Sequence, residues 1–233
     1  MGDDLAEAIS RTAAERPSAR ELTRLARLAG RGLRQAGAAA VASGRWLADV
    51  AVDVAGRLAI RDRDTLRAAY PELNDTEVAD ALVKTASLLT AAVGGAAGAL
   101  AAAEEFSPPT WFAIPAELVV ETLVVVAVEM KLVGELHALR DIRISGLAVA
   151  RAWAEGRGVK PTELAGPDGL AGMLGRGARS EVTRLVRRRL LRRLGRNLST
   201  LAPLFAGAAA GAVLNRRATM ALGRSVNNDL ART

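Results

Sequence analysis

The chain has 233 residues and no cysteine, so disulfide bonds and thiolate metal sites are excluded. Half of the residues are apolar but only 3% are aromatic, which favours closely packed helices with a core of Ala, Leu and Val. Lys and Arg exceed Asp and Glu by 32 to 25, a net charge of +7, and this balance is compatible with an anionic partner.

The N-terminal segment, residues 1–17, is predicted to be flexible. Its acidic start lacks the basic and then apolar pattern of an export signal, so no export is expected. Residues 18–233 are predicted to form a single helical domain.

Residues 18–68 are predicted to be helical, and the first helix has Ser18 as N-cap and Glu21 completing a capping box. Its arginines follow the face opposite its leucines: Arg20, Arg24, Arg27, Arg31 and Arg34. A bend or break is expected near three glycines: Gly30, Gly32 and Gly37. A second stretch, residues 44–70, ends at Tyr70 because the residue before proline avoids the helical region.

The next helix is predicted to begin after Asn74, with Glu77 at the third position of its cap. Residues 85–103 carry no charge and are rich in Ala and Gly. This length reaches the lower range for a membrane-spanning helix, although a leucine-rich span would be more lipophilic. A buried core helix and a membrane-inserting helix both stay open as interpretations.

The helix predicted over residues 115–139 is apolar on all sides in its middle, so it is expected at the centre of a bundle. One polar stripe lies within about 40° of a single line: Glu117, Glu121, Lys131 and Glu135. A metal site is disfavoured because His137, the one histidine, lies two residues after Glu135 and not three.

Charged groups inside this apolar helix need compensation, so we expect Glu121 or Glu129 to pair with a cation. The candidate partners are Lys84, Lys131 and the arginines of neighbouring helices.

Two Gly/Ala-rich stretches share a spacing of glycines four residues apart: Gly94 with Gly98, and Gly207 with Gly211. Glycines at this spacing lie on one helix face and let two helix axes approach closely, which predicts helix packing through these residues. The final stretch is expected to break near Asn215 and to restart.

Residues 180–197 place seven arginines in one amphipathic run. Six are assigned to an anionic-surface contact: Arg184, Arg187, Arg188, Arg192, Arg193 and Arg196. An interfacial helix would bury its apolar stripe among acyl chains and place its guanidinium groups at lipid phosphates. Alternatively, the stripe faces the protein core and the arginines form a solvated face. Nucleic acid is disfavoured because stacking aromatics and known binding motifs are missing.

Sequence signatures of catalysis are missing. The chain has one His and no Gly-x-Ser-x-Gly, Walker A, dinucleotide or calcium-loop motif. We therefore expect no catalytic residue, no metal, no cofactor and no enzymatic activity.

The second half of the chain, about residues 75–230, resembles the EcsC family of bacterial proteins. The resemblance is carried by the helix ASLLTAAVGGAAGAL, by Ile114-Pro115 before a long apolar helix ending in EMKLVGELHAL, and by the closing segment LAPLFAGAAAGAVLNRRATMALGRSV. Ala113 and Leu139-Arg140 depart from the family pattern. The closing segment is also similar to membrane-associated domains found beside some bacterial GTPases. The resemblance implies a cytoplasmic bacterial protein working at or near a membrane, and it implies no functional residue.

The predicted fold is all-α, a single compact multi-helix bundle with a Gly/Ala-rich apolar centre. The predicted function is non-enzymatic: a peripheral membrane-associated or adaptor protein that contacts anionic lipid or an acidic protein partner through Arg-rich amphipathic helices. The protein is expected in the cytoplasm, at the inner face of the cell membrane, and a homo-oligomer is compatible with the sequence. The alternative is a membrane-inserting or pore-forming protein that uses residues 85–103 and 201–214 as a hairpin.

Overall fold

The fold is seen in a computed structural model that describes residues 2–13, 18–42, 45–103, 116–159, 182–189 and 204–232. Regular secondary structure within these ranges is entirely helical, so the predicted all-α class is confirmed. The helices are α1 Gly2–Thr12, α2 Ala19–Ala42, α3 Arg45–Arg57, α4 Arg63–Ala69, α5 Asp75–Ala103, α6 Ala116–Ala138, α7 Leu147–Gly156, α8 over residues 182–189 and α9 Leu204–Leu230.

The N-terminus is not the flexible segment that the sequence predicts, because its residues 2–12 form α1. Leu5, Ile9 and Ala13 lie four residues apart and are each at most 1% exposed, so they form one buried apolar stripe. α1 contacts α2, α3 and α6 and therefore belongs to the same bundle. The acidic first turn, Asp3 and Asp4, stabilises the positive end of the helix dipole.

α2 begins with the predicted capping box, which is confirmed. The N–H of Ser18 donates to Oε2 of Glu21 at 2.7 Å, and the N–H of Glu21 donates to Oγ of Ser18 at 3.3 Å. The helix then continues through all three glycines at which the sequence predicts a bend or break: Gly30, Gly32 and Gly37. The buried face of α2 from Leu22 to Gly32 packs on the bundle, which outweighs the low helix propensity of glycine there.

The second predicted stretch, residues 44–70, is two helices and not one. Residues 58–62 separate α3 from α4, and Asp62 caps α4 by accepting from the N–H of Thr65 at 2.8 Å. α4 ends before Tyr70, as predicted.

The predicted cap of α5 is also confirmed. Oδ1 of Asn74 accepts from the N–H of Glu77 at 3.0 Å, and the N–H of Asn74 donates to Oε2 of Glu77 at 2.8 Å. α5 therefore begins where the sequence places it.

α6 is the central helix of the described bundle. Every residue from Leu118 to Met130 is buried, and α6 contacts α1, α2, α3, α5, α7 and α9. Polar side chains on this part of α6 therefore need partners within the protein. The hydroxyl of Thr122 donates to the carbonyl oxygen of Leu118 in its own helix at 2.8 Å, and the carboxylates of Glu121 and Glu129 bond to neighbouring segments.

α5 and α9 form a long antiparallel pair, since rising positions of α5 meet falling positions of α9: Val83 with Gly223, Thr90 with Thr219, and Gly94 with Gly211. A Cβ added at Gly94 would lie 2.9 Å from the carbonyl oxygen of Gly211, so glycine permits this approach. Gly98 and Gly207 also belong to α5 and α9. The surroundings of these two glycines lie outside what the structure describes.

α9 runs without interruption over Leu204–Leu230, and the predicted break near Asn215 is wrong. Asn often disrupts a helix because its side chain bonds to nearby backbone. Here Nδ2 of Asn215 instead donates to the carbonyl oxygen of Thr90 at 3.2 Å and to Oε1 of Glu121 at 2.9 Å. The amide is engaged by α5 and α6, so the helix continues.

Changing Gly94 to Ala tests the close approach of α5 and α9. The new Cβ would lie 2.9 Å from a backbone oxygen of α9, so the helices must move apart. We expect Gly94→Ala to lower the free energy of unfolding by about 1–3 kcal/mol, the usual cost of overpacking.

The matched control is Gly95→Ala, whose Cβ would meet Ala212 at an ordinary 4.0 Å. This variant should be unchanged or more stable by up to ~1 kcal/mol, because Ala favours helix. Urea denaturation measures both, and equal stability of the two variants would contradict the packing.

Candidate functional site

The arginine-rich segment forms α8, which has two different faces. Val182 and Val186 are fully buried, so the apolar stripe of this helix faces the protein core. The outward side carries three exposed arginines: Arg184, Arg187 and Arg188. Three more arginines of the predicted surface lie outside the described residues: Arg192, Arg193 and Arg196.

Arg189 lies on the inward side of α8, although it neighbours the exposed Arg188. It is seven residues from Val182 and three from Val186, so it shares their face. Its Nη1 donates to Oε2 of Glu129 at 3.1 Å and to Oε1 at 3.3 Å, and its Nη2 donates to Oδ1 of Asn215 at 3.3 Å. This arginine is therefore an internal anchor of α8 and not part of an outer surface.

Glu129, at 0% exposure on α6, is the centre of a buried polar cluster. Nε1 of Trp153 donates to its Oε2 at 3.0 Å, and the hydroxyl of Thr219 donates to its Oε1 at 2.9 Å. Nη2 of Arg157 forms an ion pair with Oε1 of the same carboxylate. Together with Arg189, these contacts connect Glu129 on α6 to α7, α8 and α9. Arg157, the residue after α7, adds a further contact.

The pKa of Glu129 is set by two opposing effects. Burial alone raises the pKa, because it penalises the charged form. The charges of Arg189 and Arg157 outweigh burial, and the hydrogen bond from Trp153 adds to them, so the pKa falls from 4.5 to about 2. Glu129 is therefore ionised at neutral pH, and both of its oxygens are occupied by donors, which suits a structural anchor and not a proton donor.

A second carboxylate, Glu121, lies about two turns before Glu129 on α6 and is 2% exposed. Asn215 bridges it to the first centre, because this amide donates to Glu121 and accepts from Arg189. The hydroxyls of Thr90 and Thr219 lie 3.0 Å apart and extend the cluster to α5. The buried polar cluster thus connects five helices.

The polar stripe of α6 ends in a separate ion-pair group. Glu135 is held by Arg61 through Nε at 2.7 Å and Nη2 at 3.0 Å, and by Lys131 at 2.6 Å. His137 lies in the last turn of α6, where its Nδ1 is 2.8 Å from the carbonyl oxygen of Val133. Among the described residues, no three His, Asp or Glu side chains form a metal-binding group.

The expected pairing of a buried α6 carboxylate with a neighbouring arginine is confirmed at Glu129. No pattern in the sequence indicates that Trp153, Asn215 and Thr219 bond to this cluster. The position of Arg189 on the valine face of α8 was a usable signal, because an arginine on a buried face requires an acid.

The outer face of α2 carries a row of exposed arginines, which we name the α2 arginine row: Arg20, Arg24, Arg27, Arg31 and Arg34. They lie within about 40° of one line, opposite the buried Leu22 and Leu25. The row forms no ion pair with the described residues. Each like-charged pair at this spacing destabilises a helix by about 0.2–0.5 kcal/mol, so the row costs stability.

Comparisons with protein-family models, with curated proteins and with solved structures found no match to this chain. The resemblance to the EcsC family stays a prediction. Function is therefore inferred from the chain's own residues.

Replacing Glu129 by Gln tests the buried centre. The substitution leaves two inward arginines without their negative partner, and we expect the free energy of unfolding to fall by about 3–5 kcal/mol. The matched control is Asp80→Asn, an exposed carboxylate on α5, which should change stability by less than about 0.5 kcal/mol.

Acid should diminish the effect of Glu129→Gln. Because the pKa of Glu129 is lowered on folding, its stabilising contribution is complete above about pH 4.5 and is lost as the pH falls toward 2. The stability difference between wild type and variant should therefore shrink over this range, as measured by urea denaturation at several pH values. A constant difference would contradict the ionised centre.

Substitutions at two neighbouring arginines of α8, one inward and one outward, test whether Arg189 anchors this helix. Arg189→Leu removes an internal partner of Glu129 and should lower the free energy of unfolding by about 3 kcal/mol. Arg188→Leu changes an exposed side chain and should alter it by less than about 0.5 kcal/mol. Hydrogen exchange should show faster amide exchange across residues 182–189 only in Arg189→Leu. Similar exchange in both variants would refute the anchoring role.

Proposed function

We propose that the protein docks peripherally on an anionic lipid surface through the outward arginines of α8. The observation that supports this proposal is the orientation of α8, whose valines face the bundle while Arg184, Arg187 and Arg188 face outward. Because the apolar stripe is already buried, docking needs the guanidinium groups and no insertion of α8. Arg192, Arg193 and Arg196 continue the same charged run in the sequence.

The EcsC-like pattern supports the same proposal. It implies a bacterial protein of the cytoplasm that works near a membrane, so the inner face of the cell membrane is the proposed location. This leaflet is anionic and attracts arginines by about 1 kcal/mol each. The proposed role is non-enzymatic, as a membrane-associated or adaptor protein. An acidic protein partner is the other occupant that the same surface would accept.

Insertion into the membrane is the second candidate function, and α5 favours it. Asp75–Ala96 is long and apolar enough to cross a membrane by composition, and only 50% of the apolar window is buried. Leu88 on α5 and Val213 on α9 are each 48% exposed. The uncharged residues 85–103 and 201–214 would then be the inserted hairpin.

Vesicle flotation of the full chain tests the docking proposal. Wild-type protein should float with phosphatidylglycerol vesicles, and binding should fall with added salt and with uncharged lipid. Arg187→Gln with Arg188→Gln should weaken binding about ten- to thirty-fold, because two favourable charges are lost.

The matched control is Arg216→Gln with Arg217→Gln, two exposed arginines of α9 with the same change in net charge. Equal weakening by both double variants would show that net charge alone drives binding and would overturn the α8 surface. Absence of flotation at low salt would overturn the lipid proposal and leave the acidic partner. Retention of the protein in vesicles after alkaline carbonate would favour insertion.

A further inference from the structure

The α2 arginine row is made of residues that the proposed function does not use. A groove of about 800 Å³ runs beside it. We propose that this groove binds a ligand that carries several adjacent phosphate groups.

The groove brings four cations to one site. Its lining includes Arg24, Arg27, Arg31 and Arg34 of α2, and Ala116 at the start of α6. No acidic residue is among the described residues that line it. Its volume lies in the range of about 300–1,000 Å³ that is usual for small-molecule sites.

The spacing of the arginines favours a ligand with repeated anionic groups. Residues three or four apart on a helix have Cβ atoms about 5–6 Å from one another, so the four side chains form a ladder about 15 Å long. A single anion reaches one or two of these arginines, whereas a chain of phosphates contacts more of them at once. Each guanidinium can bind a phosphate through two parallel hydrogen bonds.

The electrostatics of α2 explain why a ligand would be favoured. Along the row, successive arginines repel one another, and the one acid of α2, Glu21, is bonded to Ser18 at its N-terminus. A ligand with several adjacent phosphates places at least one negative charge and two or more acceptor oxygens at each group, so it would relieve this repulsion. A carboxylate offers one charge on two oxygens, so carboxylate ligands should bind more weakly.

Isothermal titration of the full chain with inorganic tripolyphosphate at low salt tests the proposal. Wild type should bind it more tightly than inorganic phosphate or citrate. Arg27→Gln with Arg31→Gln should weaken binding by about ten-fold or more, because two charge-assisted contacts are lost. The same variant should keep or raise its melting temperature, since like-charge repulsion is removed.

Two matched double variants separate this site from the rest of the surface. Arg216→Gln with Arg217→Gln on α9, and Arg187→Gln with Arg188→Gln on α8, should leave tripolyphosphate affinity within about two-fold. Because the α8 variant belongs to the proposed lipid surface, failure of vesicle docking and failure of this groove are distinguishable.

Vesicle flotation of the same variants distinguishes a soluble phosphate ligand from the phosphates of lipid headgroups. Binding of tripolyphosphate that depends on Arg27 and Arg31 assigns a soluble ligand. Vesicle binding that depends on these two arginines, without tripolyphosphate binding, assigns the phosphates of lipid headgroups. Equal affinity for citrate, equal weakening by the α9 control, or no dependence on the two arginines in either arm would overturn the proposal.

Discussion

A carboxylate buried in an apolar helix is costly unless cations and donors surround it, and four of the described helices meet at one such group. Glu129 lies in the fully buried part of α6, and its partners come from α7, α8, α9 and the residue after α7. An apolar core allows many similar packings, whereas this cluster requires particular helices at particular positions. The polar centre therefore specifies the arrangement that the Leu, Val and Ala side chains then fill.

Small residues make this arrangement possible, because hydrogen bonds across helices need short distances. Gly94 lets α9 approach α5 closely, and Asn215, one turn after Gly211, then reaches the carbonyl oxygen of Thr90. The same amide reaches Glu121 on α6. Close backbone contact and buried polar contact are thus two parts of one constraint. A bulkier residue at Gly94 would act on both.

The sequence predicts the helices well where periodicity and caps agree, as at Ser18 and Asn74. The sequence-based prediction is wrong where contacts between distant residues determine the local structure. The break expected at Asn215 does not occur, because a distant carboxylate and carbonyl engage its amide. The exposure of Arg184, Arg187 and Arg188 could be predicted from the sequence, because these residues lie on the side of α8 opposite its valines. The pairing of two arginines with Glu129 could not be predicted, because Arg157 is 28 residues away in the chain and only folding brings it close.

The contact between Trp153 and Glu129 makes Trp153 an intrinsic fluorescent probe of the buried cluster. The indole N–H points at a carboxylate whose other partners include an arginine of α8, so any movement of that helix changes the field at the ring. Indole emission responds to nearby charge and to water. In a variant with Trp46 and Trp111 replaced by Phe, the emission wavelength of Trp153 thus reports whether α8 is in place, without any added label.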